Sequence, residues 1–156
     1  MLDPREHAEV RPIPAVSAAV IRGNRILMVR RRNPPNAGML ALPGGKVEAG
    51  ESLLQAAARE LLEETGVVAA PRRILTAIDL FDHDEAGLLR MHFVIVVVQM
   101  DWQGGVEAAA DDATELRWMD LEALAQEVGE VSESASRVAR QVLVEAMTAE
   151  GALKPV

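Results

Sequence analysis

The stretch GGKVEAGESLLQAAARELLEETGV occupies residues 44–67 and carries the clearest structural signal in the chain. Ser52 followed by Gln55 has the spacing of a capping box, in which each side chain bonds the backbone N–H of the other residue at the start of a helix. Gly66 stands where a helix commonly ends in a left-handed residue. The stretch therefore predicts a glycine-rich turn followed by a helix over residues 53–64.

The predicted helix carries its acidic residues on one side. At about 100° per residue, Glu60, Glu63 and Glu64 share one sector of the helix. The apolar residues expected to face the core lie on the opposite side: Leu54, Ala58, Leu61 and Leu62. Such a stripe is often only a solvated face, but solvated faces usually mix both signs of charge, and here only Arg59 can pair with Glu63. Crowded carboxylates also suit a hard divalent cation, which prefers oxygen ligands.

The composition excludes several classes of function. The net charge is −8, because 24 acidic residues outnumber 16 basic ones. We therefore expect no nucleic-acid partner, since binding to that backbone rests mainly on cationic side chains. Aromatic residues make up only 3% of the chain, too few for an extended base-stacking surface. The chain has no cysteine, which excludes disulfides and thiolate catalysis.

No segment of the sequence predicts contact with a membrane. The longest strongly apolar run, FVIVVV at residues 93–98, is too short to span a bilayer. The first 14 residues contain charges and prolines where a signal peptide needs an apolar block. We therefore expect a soluble, cytoplasmic protein.

The remaining sequence alternates between strand and helix patterns. Residues 15–21 and 25–30 flank a turn signal and predict a hairpin. Loops are expected at 31–45 and 102–114, strands at 74–82, 88–101 and 115–119, and helices at 120–128 and 132–150. This order favours a single α+β domain over residues 1–156, with residues 1–14 as an irregular lead-in.

From Gly45 to Val67 the chain matches every required position of the Nudix box. The matching residues are Gly45, Glu51, Arg59, Glu60, Leu61, Glu63, Glu64, Gly66 and Val67. The chain thus resembles the Nudix hydrolases, and its later segments resemble most the ADP-ribose pyrophosphatase-type members. The resemblance implies an α/β/α sandwich around a mixed sheet, in which the box forms a loop, a helix and a second loop.

The resemblance also implies roles for individual residues of the box. The ligands of Mg²⁺, or of Mn²⁺ in its place, are expected to be Glu60, Glu63, Glu64 and the backbone carbonyl of Gly44. Arg59 is expected to orient a glutamate by charge-assisted hydrogen bonds. Glu51 is expected to do the same or to join the metal ligands.

Residues outside the box are expected to complete the site. Members of the family often use one further carboxylate as base or ligand, and the candidates are Glu107, Asp111, Asp112 and Glu115, of which Asp112 is favoured. The arginine run 30–32, with Arg30 and Arg32 foremost, is a candidate to bind a phosphate, and His92 to contact a ribose or base. A solvated charge run and a hydrogen-bonded structural histidine are the favoured alternatives. Phe81, His83 and Trp118 are further candidates for a base pocket. Leu40 replaces a tryptophan that many members carry.

The implied reaction is the hydrolysis of a diphosphate that links a nucleoside to another group, with metal ions neutralising the diphosphate. ADP-ribose or a related nucleotide sugar is the expected substrate, and an oxidised nucleotide such as 8-oxo-dGTP is the alternative. A non-catalytic nucleotide sensor is the alternative of another class, although the chain keeps every glutamate of the box. Assembly as a homodimer is common in the family, but the sequence shows no decisive interface.

Overall fold

The computed structural model describes residues 9–153. The strands in that range are β1 (Ile13–Arg22), β2 (Arg25–Arg31), β3 (Leu40–Ala41), β4 (Gly44–Lys46), β5 (Val67–His83), β6 (Leu89–Gly105) and β7 (Ala113–Met119). The helices are α1 (Leu53–Thr65), α2 (Leu121–Gln126) and α3 (Glu133–Leu153). Most of the predicted lead-in, residues 1–8, lies outside the described residues, and β1 begins before the predicted lead-in would end.

Between residues 9 and 153, seven strands form one mixed sheet. Strand β1 runs parallel to β6 and antiparallel to β2 and β4. Strand β6 pairs with β5 in a long hairpin, and β2 pairs with β3 and β7. Helix α1 covers one face of the sheet and α3 the other. The predicted α+β sandwich around a mixed sheet is therefore confirmed.

Alternate side chains of β1 pack against different helices. Val16 and Val20 belong to a buried cluster with Leu61 of α1, whereas Ala19 packs in a second cluster with Val142 of α3. Because successive side chains of a strand point to opposite faces, a strand covered on both sides needs apolar residues at every position. The sequence AVSAAVI, which predicted this strand, meets that need.

The first two strands separate after the turn that joins them. Strand β1 pairs with β2 only at Ile21 and Arg22, while Ala15 to Ser17 at its other end pair with β4. The same edge of β1 therefore pairs with β2 near the turn and with the glycine-rich strand β4 at its other end. A cavity opens where the two strands diverge, bounded by Ala15, Val16, Ser17 and Ala41.

Helix α1 has the predicted ends but not the predicted buried face. The capping box of Ser52 and Gln55 is formed and Gly66 adopts a left-handed conformation at the C-terminus, both as predicted. Leu54 and Leu62, expected in the core, are 39% and 53% exposed. The buried residues of the helix are Ala56, Ala57, Leu61, Glu64 and Thr65. The buried face is thus turned by roughly a quarter of a turn towards the glutamates.

The strands of the long hairpin are longer than the sequence predicted. Strand β5 extends from Val67 to His83 rather than over 74–82, and β6 continues to Gly105, into the predicted loop 102–114. Pro71 lies inside β5, where the register shifts between Pro71 and Arg73. Because β5 lies at the edge of the sheet, a residue without an N–H donor is tolerated there.

The C-terminal elements follow the sequence prediction closely. Asp120 caps α2, accepting a hydrogen bond from the backbone N–H of Ala123 at 2.8 Å. Helix α3 begins at Glu133 and buries Val138 and Val142, as its amphipathic pattern predicted. Among residues 9–153, none of the helices combines the length and the apolar composition that a bilayer crossing requires.

Candidate active site

Arg59 holds the acidic face of α1 together. Its guanidinium donates two hydrogen bonds to the carboxylate of Glu51, at 2.9 and 2.6 Å. It also bonds Glu60 at 2.9 Å and Glu63 at 3.3 Å, the latter being the predicted pair. A further bond reaches the backbone carbonyl of Lys46 at 3.0 Å. One arginine therefore connects the loop before the helix to two of the helix carboxylates.

The charges around Arg59 shift the ionisation of its partners. The hydrogen bonds from Arg59 lower the pKa of Glu51 to about 2. Burial raises the pKa of Glu60, and this effect is opposed by the bond from Arg59. Glu51 is therefore an anion that anchors the guanidinium. The Glu60 side chain is only 15% exposed, so its negative charge is less well solvated.

Glu64 is the most unusual carboxylate of the site. It is 5% exposed, and among the described residues its side chain accepts one hydrogen bond, from the backbone N–H of Gly44 at 3.2 Å. Burial, reinforced by the nearby charges of Glu60 and Asp112, raises the pKa of Glu64 to about 8. A buried carboxylate with so few partners is costly in a protein interior unless a positive charge compensates it.

The two glycines of β4 permit the close approach of these carboxylates. A Cβ on Gly45 would lie 2.4 Å from the carboxylate carbon of Glu60. A Cβ on Gly44 would lie 2.1 Å from the backbone oxygen of Val16 in β1. The first glycine therefore makes room for a side chain of the site, and the second allows β4 to pair with β1.

The donor set fits a hard divalent cation. Glu60, Glu63 and Glu64 supply carboxylate oxygens at one end of the cavity, and Gly44 borders the same space. Such oxygens are the ligands that Mg²⁺ and Mn²⁺ prefer. Within residues 9–153, no three acidic or histidine side chains already converge as a metal cluster. Arg59 bonds both Glu60 and Glu63, and the Glu64 side chain turns towards Gly44.

The carboxylates border a cavity of about 530 Å³. From the glutamates it extends along the divergence of β1 and β2 to the face of the sheet that α3 covers. The apolar lining from the long hairpin consists of Ile78, Leu80, Met91, Phe93, Ile95 and Val97. This volume and this mixture of one polar end and an apolar wall are typical of a small-molecule site.

The four loop carboxylates have different surroundings. Glu107 accepts a hydrogen bond from the indole N–H of Trp118, and Glu115 binds Arg30 and Arg117. Of the four, Asp111 and Asp112 line the cavity. The structure thus brings the favoured candidate Asp112 near the box glutamates, together with Asp111, and places the other two elsewhere.

The residues predicted to bind substrate lie away from the cavity. Arg30 bonds Glu115 at 2.7 Å and Glu130 at 3.0 Å, and Arg32 is exposed and not part of the cavity lining. His92 lies on the other face of the hairpin, 2.9 Å from a carboxylate oxygen of Asp79. These contacts agree with the alternative interpretation of His92 as a structural histidine.

The other aromatic candidates are also outside the cavity lining. Phe81 packs against the ring of His92 with the centroids 4.6 Å apart, and Trp118 packs at the edge of the α1 core cluster. His83 is exposed at the end of β5. Phe93 does line the cavity. It belongs to the apolar run FVIVVV, whose pattern predicted only a strand.

Within the arginine run 30–32, the sequence did not single out the middle residue, Arg31. Arg31 lines the cavity and forms an ion pair with Asp112 at 3.1 Å. The pairing of β2 with β7 shifts its register between Arg30 and Arg31. Because a shift of this kind breaks the alternation of side chains, strand periodicity alone does not indicate which arginine faces the site.

Known proteins resemble the chain in both sequence and fold. The ADP-ribose pyrophosphatase of Methanocaldococcus jannaschii is 38% identical over 110 residues, which are 70% of this chain and 63% of that protein. The putative 8-oxo-dGTP diphosphatase 2 of Mycobacterium tuberculosis is 50% identical over 56 residues, which are 35% of this chain and 40% of that protein. The chain therefore matches less than two thirds of the length of either relative.

A solved structure extends the likeness to three dimensions. The crystal structure of a MutT NUDIX hydrolase from Burkholderia pseudomallei matches with a TM-score of 0.68 and 30% sequence identity, covering 83% of this chain and 95% of that one. The family model described as NUDIX domain matches residues 11–141, which include the glycines of β4, helix α1 and the loop carboxylates. The chain therefore belongs to the NUDIX domain family.

Proposed function

We propose that the protein is a metal-dependent pyrophosphohydrolase that cleaves the diphosphate of a nucleoside diphosphate linked to another group. ADP-ribose or a related nucleotide sugar is the proposed substrate, and a nucleoside monophosphate is one product. The observation that carries this proposal is the buried carboxylate of Glu64, placed with Glu60 and Glu63 at the polar end of a cavity that has an apolar wall from the long hairpin.

The glutamates and the carbonyl of Gly44 would hold the divalent cation, for which Mg²⁺ is proposed and Mn²⁺ would serve in its place. When bound, such a cation neutralises the diphosphate and lowers the pKa of a coordinated water. Arg59 fixes Glu60 through a 2.9 Å hydrogen bond and is itself anchored by Glu51. Arg59 and Glu51 are therefore proposed as positioning residues.

Hydrolysis adds water across one bridging P–O bond of the diphosphate. The water oxygen forms the new bond to phosphorus, the bridging oxygen leaves with its electron pair on the other phosphate, and the water proton passes to a base. Among the cavity residues that the structure describes, Asp111 is the loop carboxylate whose side chain makes no protein hydrogen bond. We therefore assign the base to Asp111 rather than to Asp112, the candidate favoured from the sequence.

Two cationic side chains line the cavity within residues 9–153, Arg31 and Lys46. Both are proposed to contact the phosphates of the substrate. The apolar wall, including Phe93, is proposed to receive the nucleoside or sugar. Five carboxylates line the cavity, and the cation with these two side chains would offset most of their negative charge and supply the positive contacts that an anionic substrate needs.

The nature of the substrate is supported by the relative from M. jannaschii, which aligns with 70% of the chain. Hydrolysis of an oxidised nucleotide is the second candidate, supported by the 50% identity to the putative 8-oxo-dGTP diphosphatase over 56 residues. That shorter match covers about half as many residues, so it supports the chemistry of the site more than the choice of substrate.

The proposal is tested by assaying the protein on ADP-ribose, nucleotide sugars, dinucleoside polyphosphates and 8-oxo-dGTP with and without Mg²⁺. We expect Mg²⁺-dependent release of a nucleoside monophosphate, greatest from ADP-ribose. Glu64→Gln should lower kcat by about 100-fold or more, because losing a metal ligand removes several kcal/mol of transition-state stabilisation. Glu122→Gln, which alters an exposed glutamate bonded to Gln126, is the matched control and should keep activity within about twofold.

Binding of the cation can be followed without turnover. Saturating Mg²⁺ should raise the Tm of the wild-type protein, by the equivalent of about 2.7 kcal/mol at 100 times the Kd, but not that of Glu64→Gln. If the wild-type protein turns over none of the substrates and matches Glu64→Gln in every assay, the enzymatic proposal is wrong. Tight nucleotide binding in that case would favour the sensor.

A further inference from the structure

We infer that Asp112 is a positioning residue, which sets the place of Arg31 and of the loop of residues 31–38 at the mouth of the cavity. This inference rests on the proposed function and deepens it. It separates the two neighbouring aspartates of the 111–112 turn, giving the proton-accepting role to one and the placement of substrate contacts to the other.

Both carboxylate oxygens of Asp112 are engaged by this loop. One oxygen forms the ion pair with Arg31 at 3.1 Å, and the other accepts a hydrogen bond from the backbone N–H of Asn33 at 2.9 Å. The backbone carbonyl of Asp112 also accepts the N–H of Arg32 at 2.8 Å. Three consecutive residues of the loop are therefore fixed by a single aspartate.

Arg31 transmits this placement to the rest of the loop. Its Nε donates to the carbonyl of Pro35 at 2.8 Å, and its own carbonyl accepts the N–H of Gly38 at 2.7 Å. Asn33 and Asn36 in the same loop line the cavity. A guanidinium held this way has one orientation fixed by the protein, which reduces the side-chain entropy lost when it binds a phosphate.

The segment that carries Asp112 is attached to the helix that carries the glutamates. The backbone N–H of Ala108 donates to the carbonyl of Thr65, and that of Ala110 donates to the carbonyl of Glu64, both at 2.9 Å. The distance between Arg31 and the metal-binding carboxylates is thus set through Asp112. Asp111 has no comparable contacts among the described residues, and its carboxylate is available to the cavity.

Two variants of Asp112 separate its contacts. Asp112→Asn keeps an oxygen that can accept from Asn33 but loses the ion pair, whereas Asp112→Ala loses both. With ADP-ribose and Mg²⁺, we expect Asp112→Asn to raise KM about tenfold and to leave kcat within about twofold. The reason is that Arg31, no longer held by Asp112, would bind the substrate phosphate less well in the ground state and in the transition state alike. Asp111→Asn should instead lower kcat by about 10²-fold or more with a smaller change in KM.

A double-mutant cycle tests whether Asp112 acts through Arg31. Arg31→Gln should also raise KM, and adding Asp112→Asn to it should change KM by less than about twofold. Asp101→Asn is the matched control, because Asp101 is an exposed aspartate of β6 that lies 3.9 Å from Arg72. Amide hydrogen exchange at Asn33 gives a readout without turnover: Asp112→Ala should speed exchange about tenfold or more, and Asp112→Asn should not.

The outcomes are distinct. A kcat loss of 100-fold with unchanged KM in Asp112→Asn would make Asp112 the base and overturn the inference, as would KM effects that multiply in the double mutant. If the wild-type protein hydrolyses nothing, the proposed function fails and exchange decides alone. Unchanged exchange at Asn33 in Asp112→Ala then rejects the positioning role, and faster exchange upholds it.

Discussion

Replacing Gly45 by alanine should impair the proposed cation site while leaving the fold nearly intact. The added Cβ would lie 2.4 to 2.5 Å from the three carboxylate atoms of Glu60. Ordinary carbon contacts are about 3.5–4.0 Å, so the carboxylate must retreat by roughly 1 Å. The atoms that must move are the end of a flexible side chain, and the cost in folding free energy should therefore be small.

The effect on the site should be much larger than the effect on stability. A displacement of about 1 Å in a reacting constellation costs on the order of 10²-fold in rate. The retreat also carries Glu60 out of its 2.9 Å hydrogen bond with Arg59. We therefore expect Gly45→Ala to lower kcat/KM with Mg²⁺ by about 100-fold, to weaken Mg²⁺ binding in calorimetry, and to change the free energy of unfolding by less than about 1 kcal/mol.

Gly44→Ala is the informative companion, because its Cβ would lie 2.1 Å from a backbone oxygen of Val16. Backbone cannot swing aside, so this variant should lose stability by separating β4 from β1. Denaturation with urea and a Mg²⁺ titration on both variants measure the two quantities separately. Wild-type Mg²⁺ affinity in Gly45→Ala, with the fold intact, would show that the position of the Glu60 carboxylate does not determine cation binding and would refute the reasoning.

Two further predictions concern the fold. Leu61→Ala should destabilise the protein by about 2–5 kcal/mol, because Leu61 is fully buried, whereas Leu62→Ala should change stability by less than about 0.5 kcal/mol at a site that is 53% exposed; equal losses in urea denaturation would contradict the observed rotation of α1. Hydrogen bonds from Arg30 and Arg117 lower the pKa of Glu115, so its contribution is present above the pKa of the unfolded state and disappears as pH falls through the folded pKa. The Tm difference between wild type and Glu115→Gln should therefore be present at pH 7 and correspond to no more than about 1 kcal/mol for this partly exposed pair. It should disappear once the pH falls below the lowered pKa of Glu115 in the folded state; a difference independent of pH would exclude the ionised carboxylate as its source.

Local signals predicted the ends of α1 because the forces that set them are local. The capping box depends on Ser52 and Gln55 alone, and the left-handed residue at Gly66 needs only the absence of a side chain. The same holds for the turn between β1 and β2. These features can be read from a few adjacent residues without knowing what packs against them.

Which face of α1 is buried could not be predicted from adjacent residues in this way. A helical wheel assigns leucines to the core by their apolar character, but the sheet contacts the side that carries Ala57 and Glu64. Arg31 was not singled out within the run 30–32 for a similar reason, since a register shift between strands distant in sequence decides which arginine faces the cavity. Both errors arise where long-range packing overrides the local pattern.

The two buried alanines of α1 explain why the helix faces the sheet on its acidic side. Ala56 and Ala57 are fully buried, and side chains this short let the helix backbone come close to the sheet. Glu64 thereby comes within 3.2 Å of the N–H of Gly44, and Glu60 covers Gly45, where a Cβ would collide with it. Larger residues at 56 and 57 would bury more apolar area, worth about 0.8 kcal/mol for each added CH₂ group, but would move both carboxylates away from the glycines. The small core contact and the buried carboxylate with a pKa of about 8 both reduce stability, and the proposed cation site would require both, because it needs carboxylate oxygens at one end of the cavity. Functional sites are where a sequence departs from the choices that packing alone would favour.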